Sequence, residues 1–376
     1  MKKETKYKEP LDNGIVEDEL VAYQRSLFDD AFVNEIPSTK TNTQILSQSH
    51  INLATSFSGI GAVETALKQL NISHDIIFAG DIDYYCKLTY FANYDISEDK
   101  WHNDIRNFSA KKYKGLVDLY VGGSPCQSFS IMGKRKGLEE ARGTLFYEYA
   151  RLIAESKPKV FIFENVVGIL NHDKGKTWQI ISEIFDDLGY LWKSWILNAK
   201  NYGLPQNRRR VFVVGFDKKY KTFFEKLSKP IPIKLEIEVQ NLLESNVPNK
   251  YYLPQKGFMR VTSPKEGKHI ALNSKISRCQ VACQQYNWFG DMRFEQNFPE
   301  RIEVDDRIYK GEYNGVRGVT RMLTPRECLR LMGFPDTFKI VVNDTQMYRE
   351  SGNSIAVNVI MKVVDSIFKT GIFDNE

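Results

Sequence analysis

The sequence has few cysteines and no long hydrophobic run. Its 376 residues contain five cysteines scattered along the chain, an odd number that fits a reducing compartment better than a disulfide framework. No segment approaches the roughly 20 uninterrupted apolar residues of a membrane helix, and the lysine-bearing first residues lack the apolar stretch of a signal peptide. We therefore expect a cytoplasmic protein that is neither exported nor inserted into a membrane.

The sequence also lacks a complete set of closely spaced metal ligands and a large net charge. Cys279 and Cys283 could form half of a metal site, but no second Cys or His pair follows at ligand spacing, so no metal is predicted. The formal net charge of +5 is compatible with a polyanionic partner and is too small to indicate one. The hydrophobic content of 42% suits one large core with a smaller appended unit.

From residue 50 onward, segments typical of strands and helices alternate. Predicted strands cover 51–57, 75–79, 116–121 and 160–163, and predicted helices cover 62–70, 84–93, 144–155 and 178–188. This alternation predicts an α/β fold with a doubly wound, mostly parallel sheet. Residues 190–197 and 210–216 are typical of an antiparallel pair that closes the sheet edge.

The hydrophobic periodicity divides the chain into four parts. Residues 1–49 are a polar extension with one predicted helix over 18–32, and residues 50–216 are the large domain. Periodicity weakens over 217–320, which we interpret as a separate small domain. A return segment, 321–376, begins at Thr324 with an N-cap, a first-turn proline and a capping-box glutamate, and ends in a helix over 356–368.

Two glycines, Gly59 and Gly61, follow the first predicted strand where the chain turns into a helix. A nucleotide-like ligand can approach such a backbone closely, although an ordinary turn is at least as common. Asp81 follows the second strand about 20 residues later, where a carboxylate accepts hydrogen bonds from ribose hydroxyls. Asp104 lies after the third strand, and each carboxylate alone could be a simple helix cap. Their joint placement favours an adenosyl ligand.

The fourth strand leads into a polar loop, Gly-Gly-Ser-Pro-Cys-Gln over 122–127. This loop places Cys126 at the carboxyl edge of the sheet, where ligands bind in such folds. A structural cysteine normally lies within an apolar segment, whereas Cys126 lies in a glycine-flanked loop. An ordinary thiol is mostly protonated at neutral pH, so a nucleophilic role requires nearby positive charge or a proton acceptor.

Charged residues follow the next strand. Glu164 comes directly after the apolar residues 160–163, and either caps a turn or hydrogen-bonds a substrate ring. Arg208 and Arg210 alternate in an extended segment and would share one face. The ordinary interpretation of these arginines is a basic surface cluster.

These residues resemble the cytosine carbon-5 DNA methyltransferase family from Asn52 to Val364, apart from the small domain. Six motifs occur in the family's order: Phe-Ser-Gly-Ile-Gly at 57–61, Gly-Ser-Pro-Cys-Gln at 123–127, Phe-Glu-Asn-Val at 163–166, Gln-Asn-Arg-Arg-Arg at 206–210, the segment 321–335, and Gly-Asn-Ser-Ile at 352–355. Six ordered matches leave little room for chance.

The resemblance implies that Cys126 attacks carbon-6 of a flipped-out cytosine while Glu164 engages ring nitrogen-3 and the exocyclic amine. Arg210 and Arg208 are expected to hold the ring oxygen and nearby backbone. S-adenosylmethionine is the implied methyl donor. The residues expected to bind it are Phe57, Gly59, Ile60, Gly61, Asp81, Ile82, Asp104, Ile105, Leu145, Asn353 and Ser354, and those expected to contact substrate are Pro125, Gln127 and Asn165.

The implied partner is double-stranded DNA, modified by a monomeric enzyme that protects it from a nuclease of the same specificity. Residues 131–142, basic and glycine-bearing, are the expected loop closing over DNA. The small domain would read the target sequence, and its arginines Arg260, Arg278, Arg293 and Arg317 are candidates for contacting guanine edges.

Three alternatives remain. A transfer-RNA cytosine methyltransferase shares the catalytic motifs, but the Cys-Phe-Thr tripeptide of that group is absent and a sizeable small domain is present. An inactive DNA-binding scaffold conflicts with the intact Cys126 and Glu164. A nicotinamide oxidoreductase is disfavoured because Glu64 occupies the place of the third fingerprint glycine.

Overall fold

The computed structural model describes residues 50–125, 144–264, 269–285, 288–296 and 307–374, all within one compact unit that spans Thr39–Glu376. The predicted extension 1–49, Cys126, Gln127 and the predicted loop 131–142 lie outside the described residues. None of the described helices is long and apolar enough to span a bilayer.

The strands are β1 His50–Ser56, β2 Ser73–Gly80, β3 Trp101–His102, β4 Leu119–Gly122, β5 Val160–Val166, β6 Tyr190–Asn198, β7 Gln206–Asn207, β8 Arg209–Asp217, β9 Ile270–Leu272, β10 Ser277–Arg278, β11 Gly290–Glu295, β12 Gly311–Tyr313 and β13 Val316–Met322. The α-helices are α1 Ala62–Gln69, α2 Tyr84–Asn93, α3 Leu145–Ser156, α4 Lys176–Asp187, α5 Lys221–Lys226, α6 Gln255–Val261, α7 Pro325–Leu331, α8 Asp344–Asn353 and α9 Val357–Phe368.

Seven strands form the main sheet in the order β3-β2-β1-β4-β5-β8-β6. The pairs from β3 to β5 are parallel, and β8 runs antiparallel to both β5 and β6. The predicted α/β class, the alternation and the antiparallel edge pair are confirmed. Because the chain leaves β1 in one direction and returns to its other side at β4, the carboxyl ends of these strands form a topological switch point, where α/β proteins bind ligands.

The central strands are buried because both faces of the sheet are covered. Val160, Phe161, Ile162 and Phe163 of β5 are each fully buried, as expected for a strand with a continuous apolar run. Helices α3 and α4 supply Phe146, Tyr149, Ile184 and Phe185 to one core cluster with Phe161 and Phe163. Helix α1 packs against α9, so the last helix of the chain contacts the first helix after β1. The predicted division into domains stays a prediction.

A second sheet of four strands, in the order β12-β13-β11-β9, forms within the later part of the chain. The first part of the segment between the two sheets still contacts the large sheet. Lys193 of β6 donates to the Leu227 carbonyl at 2.6 Å, and Tyr202, which follows β6, donates to the Pro230 carbonyl at 3.1 Å. Strands β10 and β7 pair parallel to each other, which ties residues near the small sheet to the end of the large one.

Candidate active site

Ser58 braces the loop between β1 and α1 against the end of β2. Its hydroxyl donates to the Gly80 carbonyl at 3.1 Å, and its backbone N–H donates to the same oxygen at 3.0 Å. The Gly59 N–H donates to the Asp81 carboxylate at 3.0 Å. Two predicted cofactor residues, Gly59 and Asp81, are thus in contact. Ser58 was missed by sequence reasoning, although its position inside the glycine loop was the available signal.

The loop after β1 contains residues in the left-handed backbone region and differs in how closely its glycines are packed. Phe57 adopts φ +55° and Gly61 adopts φ +78°, both in the left-handed region. A Cβ on Gly61 would lie 2.2 Å from the Tyr94 ring, whereas a Cβ on Gly59 would meet no atom within 4 Å. The loop is therefore packed tightly at Gly61 against Tyr94, the residue that follows α2, and is open at Gly59, the side on which a ligand could approach.

Glu64, which occupies the place of the third fingerprint glycine, is fully buried. Tyr90 donates to its carboxylate at 2.6 Å and Thr55 donates to it at 3.1 Å. Burial raises the pKa of Glu64, and the hydrogen bond from Tyr90 opposes that rise. The side chain ties α1 to β1 and α2 instead of leaving room for a dinucleotide.

The predicted cofactor residues after β3 have engaged side chains. Asp104 accepts from the backbone N–H of Arg106 at 3.0 Å and pairs with its guanidinium at 2.7 Å, so it caps a short turn. Ile105 is buried in the main core. Beside them, His102 stacks on Phe108 at 4.6 Å, and burial lowers the pKa of His102 to about 4.

The remaining predicted cofactor residues differ in their exposure to solvent. Ile82 is 72% exposed just after β2, an unusual position for an apolar side chain. Asn353 is exposed, while Ser354 and Ile60 are buried and Leu145 is half-buried at the start of α3.

Gly122 and Gly123 begin the loop that carries Cys126, and both lie against neighbouring groups. A Cβ on Gly123 would be 2.7 Å from the Glu164 carbonyl oxygen, and a Cβ on Gly122 would be 2.7 Å from the Tyr149 ring. The Asn165 side chain donates to the Ser124 carbonyl at 2.8 Å, and its oxygen accepts from the Val166 N–H. Asn165 is thus engaged within the protein, and its contact with substrate stays a prediction. Pro125 is exposed at the end of this stretch.

Glu164 lies within β5, opposite Phe212 of β8, and not after the strand as predicted. The reason is that β8 continues the pairing as far as Val166. The Arg210 guanidinium lies 3.2 Å from the Glu164 carboxylate, and both side chains are mostly buried. Burial raises the pKa of Glu164, while the charges of Arg210 and Arg208 oppose that rise.

Arg208 is buried, which corrects its interpretation as a surface group. Its guanidinium donates to the carbonyls of Gln280 at 2.7 Å, Ser354 at 2.6 Å and Gly352 at 3.2 Å. Burial, and then the charge of Arg210, lower the pKa of Arg208 to about 10. Arg208 therefore joins three segments that are far apart in the sequence, and its expected contact with substrate would compete with these bonds.

Cys279 was also missed by sequence reasoning, which considered it only as a metal ligand. Its sulfur lies 3.5 Å from Arg208 Nη1 and 3.7 Å from both Nη atoms of Arg210. No signal in the sequence brings Cys279 to these arginines, because they are about 70 residues apart.

The candidates for contacting guanine edges differ in exposure. Arg293, in β11, is buried, and its guanidinium donates to the Gln240 side chain at 2.6 Å, so a contact with DNA would compete with this bond. Arg260, Arg278 and Arg317 are exposed, and their contact with DNA stays a prediction.

Solved methyltransferases have the same fold. The chain aligns with a methyltransferase of Entamoeba histolytica at a TM-score of 0.63 and 21% identity, over 86% of this chain and 99% of that one. It aligns with the Dnmt2 methyltransferase of S. pombe at a TM-score of 0.63 and 20% identity, over 85% and 98%. Likeness at this identity shows the fold alone, which is the α/β fold of these two solved methyltransferases.

Sequence relatives narrow the class. The chain is 37% identical over 325 residues to the Type II methyltransferase M.HpaII of Haemophilus parainfluenzae, covering 81% of this chain and 85% of the relative. It is 36% identical over 320 residues to the Type II methyltransferase M.SsoII of Shigella sonnei, covering 84% and 79%. The profile of the C-5 cytosine-specific DNA methylases matches residues 51–369. The chain therefore belongs to the C-5 cytosine-specific DNA methylase family, and the predicted enzyme class is confirmed.

Proposed function

We propose that this enzyme transfers a methyl group from S-adenosylmethionine to carbon-5 of a cytosine flipped out of duplex DNA, through a transient bond to Cys126. The observation that carries the proposal is the ion pair between Glu164 and Arg210 beside the two glycines that begin the Cys126 loop. A carboxyl, a guanidinium and the start of a cysteine loop meet at the carboxyl edge of the sheet.

The residues at the switch point fit an adenosyl cofactor. The open space beside Gly59 leaves room for a ligand, and Asp81 keeps a carboxylate at the end of β2 by accepting from the Gly59 and Asp83 backbones. The exposed Ile82 offers an apolar surface for a flat ring. When bound, S-adenosylmethionine supplies an electrophilic methyl group to carbon-5.

The protein's own groups would activate the pyrimidine. The Cys126 thiolate forms a bond with carbon-6, which makes carbon-5 nucleophilic. Glu164 hydrogen-bonds ring nitrogen-3 and the amine, and its raised pKa favours sharing a proton there. Arg210 holds the ring oxygen. The carbon-5 proton is then lost to solvent water, its electron pair re-forms the double bond between carbon-5 and carbon-6, and the bond from carbon-6 to sulfur breaks. The Cys126 thiolate is released and the ring regains its aromaticity.

Two of the predicted site residues act indirectly in this proposal. Asn165 holds the Ser124 carbonyl, two residues before Cys126, and Arg208 holds the carbonyls of Gly352 and Ser354 on either side of Asn353. Both positions suit residues that fix the loops around the reacting atoms. Asp104 would contribute through the turn that it caps.

Type II methyltransferases among the relatives support a role as the modification half of a restriction-modification system. The substrate is duplex DNA in the cytoplasm, and extruding the target base costs roughly a few kcal/mol. Exposed arginines near the small sheet, among them Arg278 and Arg317, are candidates for reading the sequence.

Bisulfite sequencing of plasmid DNA from cells expressing the chain tests the proposal, because it reports activity, base and sequence context together. We expect complete modification at one short sequence with wild type and none with Cys126→Ser. Cys86→Ser is the matched control, because Cys86 is a buried thiol on α2. Unmodified DNA with wild type, or full modification by the Cys126→Ser variant, would contradict the mechanism. If the enzyme methylates transfer RNA and not DNA, the proposed substrate is wrong.

A further inference from the structure

A second thiol lies among the charged groups of the active site. Cys279 is half-buried, and its sulfur contacts Arg208 at 3.5 Å and Arg210 at 3.7 Å. Arg210 in turn contacts Glu164 at 3.2 Å. These contacts form a continuous chain from Cys279 to the carboxyl group assigned to the pyrimidine ring.

The position of Cys279 is fixed by hydrogen bonds on both sides. Before it, the Ser277 N–H donates to the Pro205 carbonyl at 2.7 Å, and the Arg278 N–H donates to the Asp291 carboxylate at 3.0 Å. After it, the Gln280 N–H donates to the Gln206 side chain at 3.0 Å. The backbone around Cys279 is therefore held between the small sheet and the strand that carries the arginines.

The orientation of the thiol suits a hydrogen-bond acceptor. Its S–H donates to the Gln280 carbonyl at 3.4 Å, which leaves the sulfur lone pairs for the guanidiniums. Two neighbouring guanidiniums repel each other, and the charge of Arg210 contributes to the lowered pKa of Arg208. An acceptor that touches both reduces this repulsion. A side chain that only filled space would need neither lone pairs nor this geometry.

We propose that Cys279 is a positioning residue that holds the Arg210 guanidinium against Glu164, and that it thereby sets the rate of methyl transfer. This inference rests on the proposed function. It also links the region between residues 217 and 320, expected to read the DNA sequence, to the reacting groups through β10. Cys279 itself forms no bond with the base.

The test is a single-turnover methylation assay on a duplex that carries the sequence found by bisulfite sequencing. The variants are Cys279→Ala, which removes the acceptor, and Cys279→Ser, which retains one. Cys283→Ala is the matched control, because Cys283 is an exposed thiol in the same segment. Dissociation constants for S-adenosylmethionine and for the duplex are measured in parallel, with the rate followed from pH 5.5 to 8.5.

We expect Cys279→Ala to lower the single-turnover rate about fivefold to tenfold, the range for losing a weak hydrogen bond to a charged group. Both dissociation constants stay within about twofold of wild type, since uniform binding is unaffected. The pH-rate profile moves to higher pH, because Glu164 loses part of the opposing charge of Arg210. Cys279→Ser recovers part of the rate, and Cys283→Ala behaves as wild type.

A wild-type rate and pH profile in Cys279→Ala would overturn the inference alone. Equal losses of rate and of cofactor affinity, with no change in the pH profile, would show a merely structural role and would also overturn it. If Cys279→Ala does not fold, Cys279→Val, which also removes the acceptor but fills the space of the thiol, decides between the same outcomes. If wild type methylates no DNA, the proposed function fails, and this inference fails with it.

Discussion

Three glutamates near the carboxyl edge of the sheet, Glu64 and Glu350 buried and Glu164 mostly buried, illustrate how the surroundings of a side chain set its properties. Glu64, Glu164 and Glu350 all have raised pKa values, chiefly because burial penalises the charged form. Of these three glutamates, only Glu164 has a carboxylate within contact distance of an arginine in the part of the chain that the structure describes. Glu350, which accepts from Thr89 at 2.9 Å, faces the carboxylates of Asp81 and Asp83.

Glu350 makes stability depend on pH. Burial raises its pKa from 4.5 to about 7, so the folded state holds the proton more tightly than the unfolded chain does. Its contribution is present at low pH and is lost as the pH rises from about 4.5 through about 7. We expect the free energy of unfolding of wild type, relative to Glu350→Gln, to fall by about 2 kcal/mol between pH 5 and 8.

Urea denaturation at each pH measures this difference. Glu225→Gln, an exposed carboxyl on α5, is the control for removing a carboxylate. A difference between wild type and Glu350→Gln that stays constant over this range would refute the assignment.

Comparing alanine substitutions at Gly61 and Gly115 distinguishes the cost of backbone strain from the cost of overpacking. Their φ angles are +78° and +76°, but only at Gly61 would a Cβ meet a ring, 2.2 Å from Tyr94. We expect Gly115→Ala to lose about 1 kcal/mol from left-handed strain, and Gly61→Ala to lose about 2–4 kcal/mol because overpacking adds to it. Urea denaturation measures the free energy of unfolding of both variants. Equal losses would contradict the prediction, because they would show that the Tyr94 ring can move aside at no energetic cost.

At the scale of elements, α7 shows a local signal reinforced by tertiary contacts. Thr324 accepts from the Glu327 N–H at 3.1 Å, and the Glu327 carboxylate accepts from the Thr324 N–H at 2.8 Å, so the predicted capping box is confirmed. Glu327 also pairs with the buried Arg321 at 2.8 Å, and Thr324 donates to Glu244. The cap therefore ties α7 to the last strand of the small sheet.

This difference in surroundings predicts unequal losses for two N-caps. Thr324→Ala removes a buried cap whose hydroxyl has two partners. Asn343→Ala removes an exposed cap of α8 whose side-chain oxygen accepts from the Gln346 N–H at 3.1 Å. We expect Thr324→Ala to lower the free energy of unfolding by about 2 kcal/mol, and Asn343→Ala to lower it by about 1 kcal/mol or less. Chemical denaturation of the two variants gives the comparison, and a larger loss for Asn343→Ala would contradict it.

At the scale of the whole molecule, the sheet order brings the functional loops together. Ser56 of β1 is in register with Gly122 of β4, and Gly122 is in register with Phe163 of β5. The start of the glycine loop at 57–61, the glycines that follow β4 and Glu164 of β5 therefore lie side by side at the same edge. Helix α9 packs on α1, so the last helix supports the helix that follows the glycine loop.

A ligand bound across this edge should stabilise the whole fold. By mass action, S-adenosylmethionine at 100 times its dissociation constant adds about 2.7 kcal/mol to the free energy of unfolding. We expect the corresponding rise in Tm to be reduced at the same ligand concentration in Asp81→Asn, because the ribose acceptor is weakened. Asp75→Asn, an exposed carboxylate on β2, is the control. An equal rise in all three proteins would remove Asp81 from the cofactor site.

The sequence by itself determined the features that depend on neighbours in the chain. The strand and helix alternation, the cap of α7 and the six ordered motifs all arise from residues within a few positions of each other, because propensity, periodicity and turn chemistry act locally. These features were sufficient to predict the α/β fold class and the family to which the chain belongs.

Only the tertiary structure decided which groups the site residues touch. Arg208 finds carbonyls 72 to 146 residues away, Asn165 finds Ser124, Arg293 turns inward, and Cys279 reaches both arginines. Glu164 stays within a strand because β8 extends the pairing. Such contacts depend on how sheets and segments distant in sequence pack together, and no local pattern encodes the partner that a polar side chain will meet when it is buried.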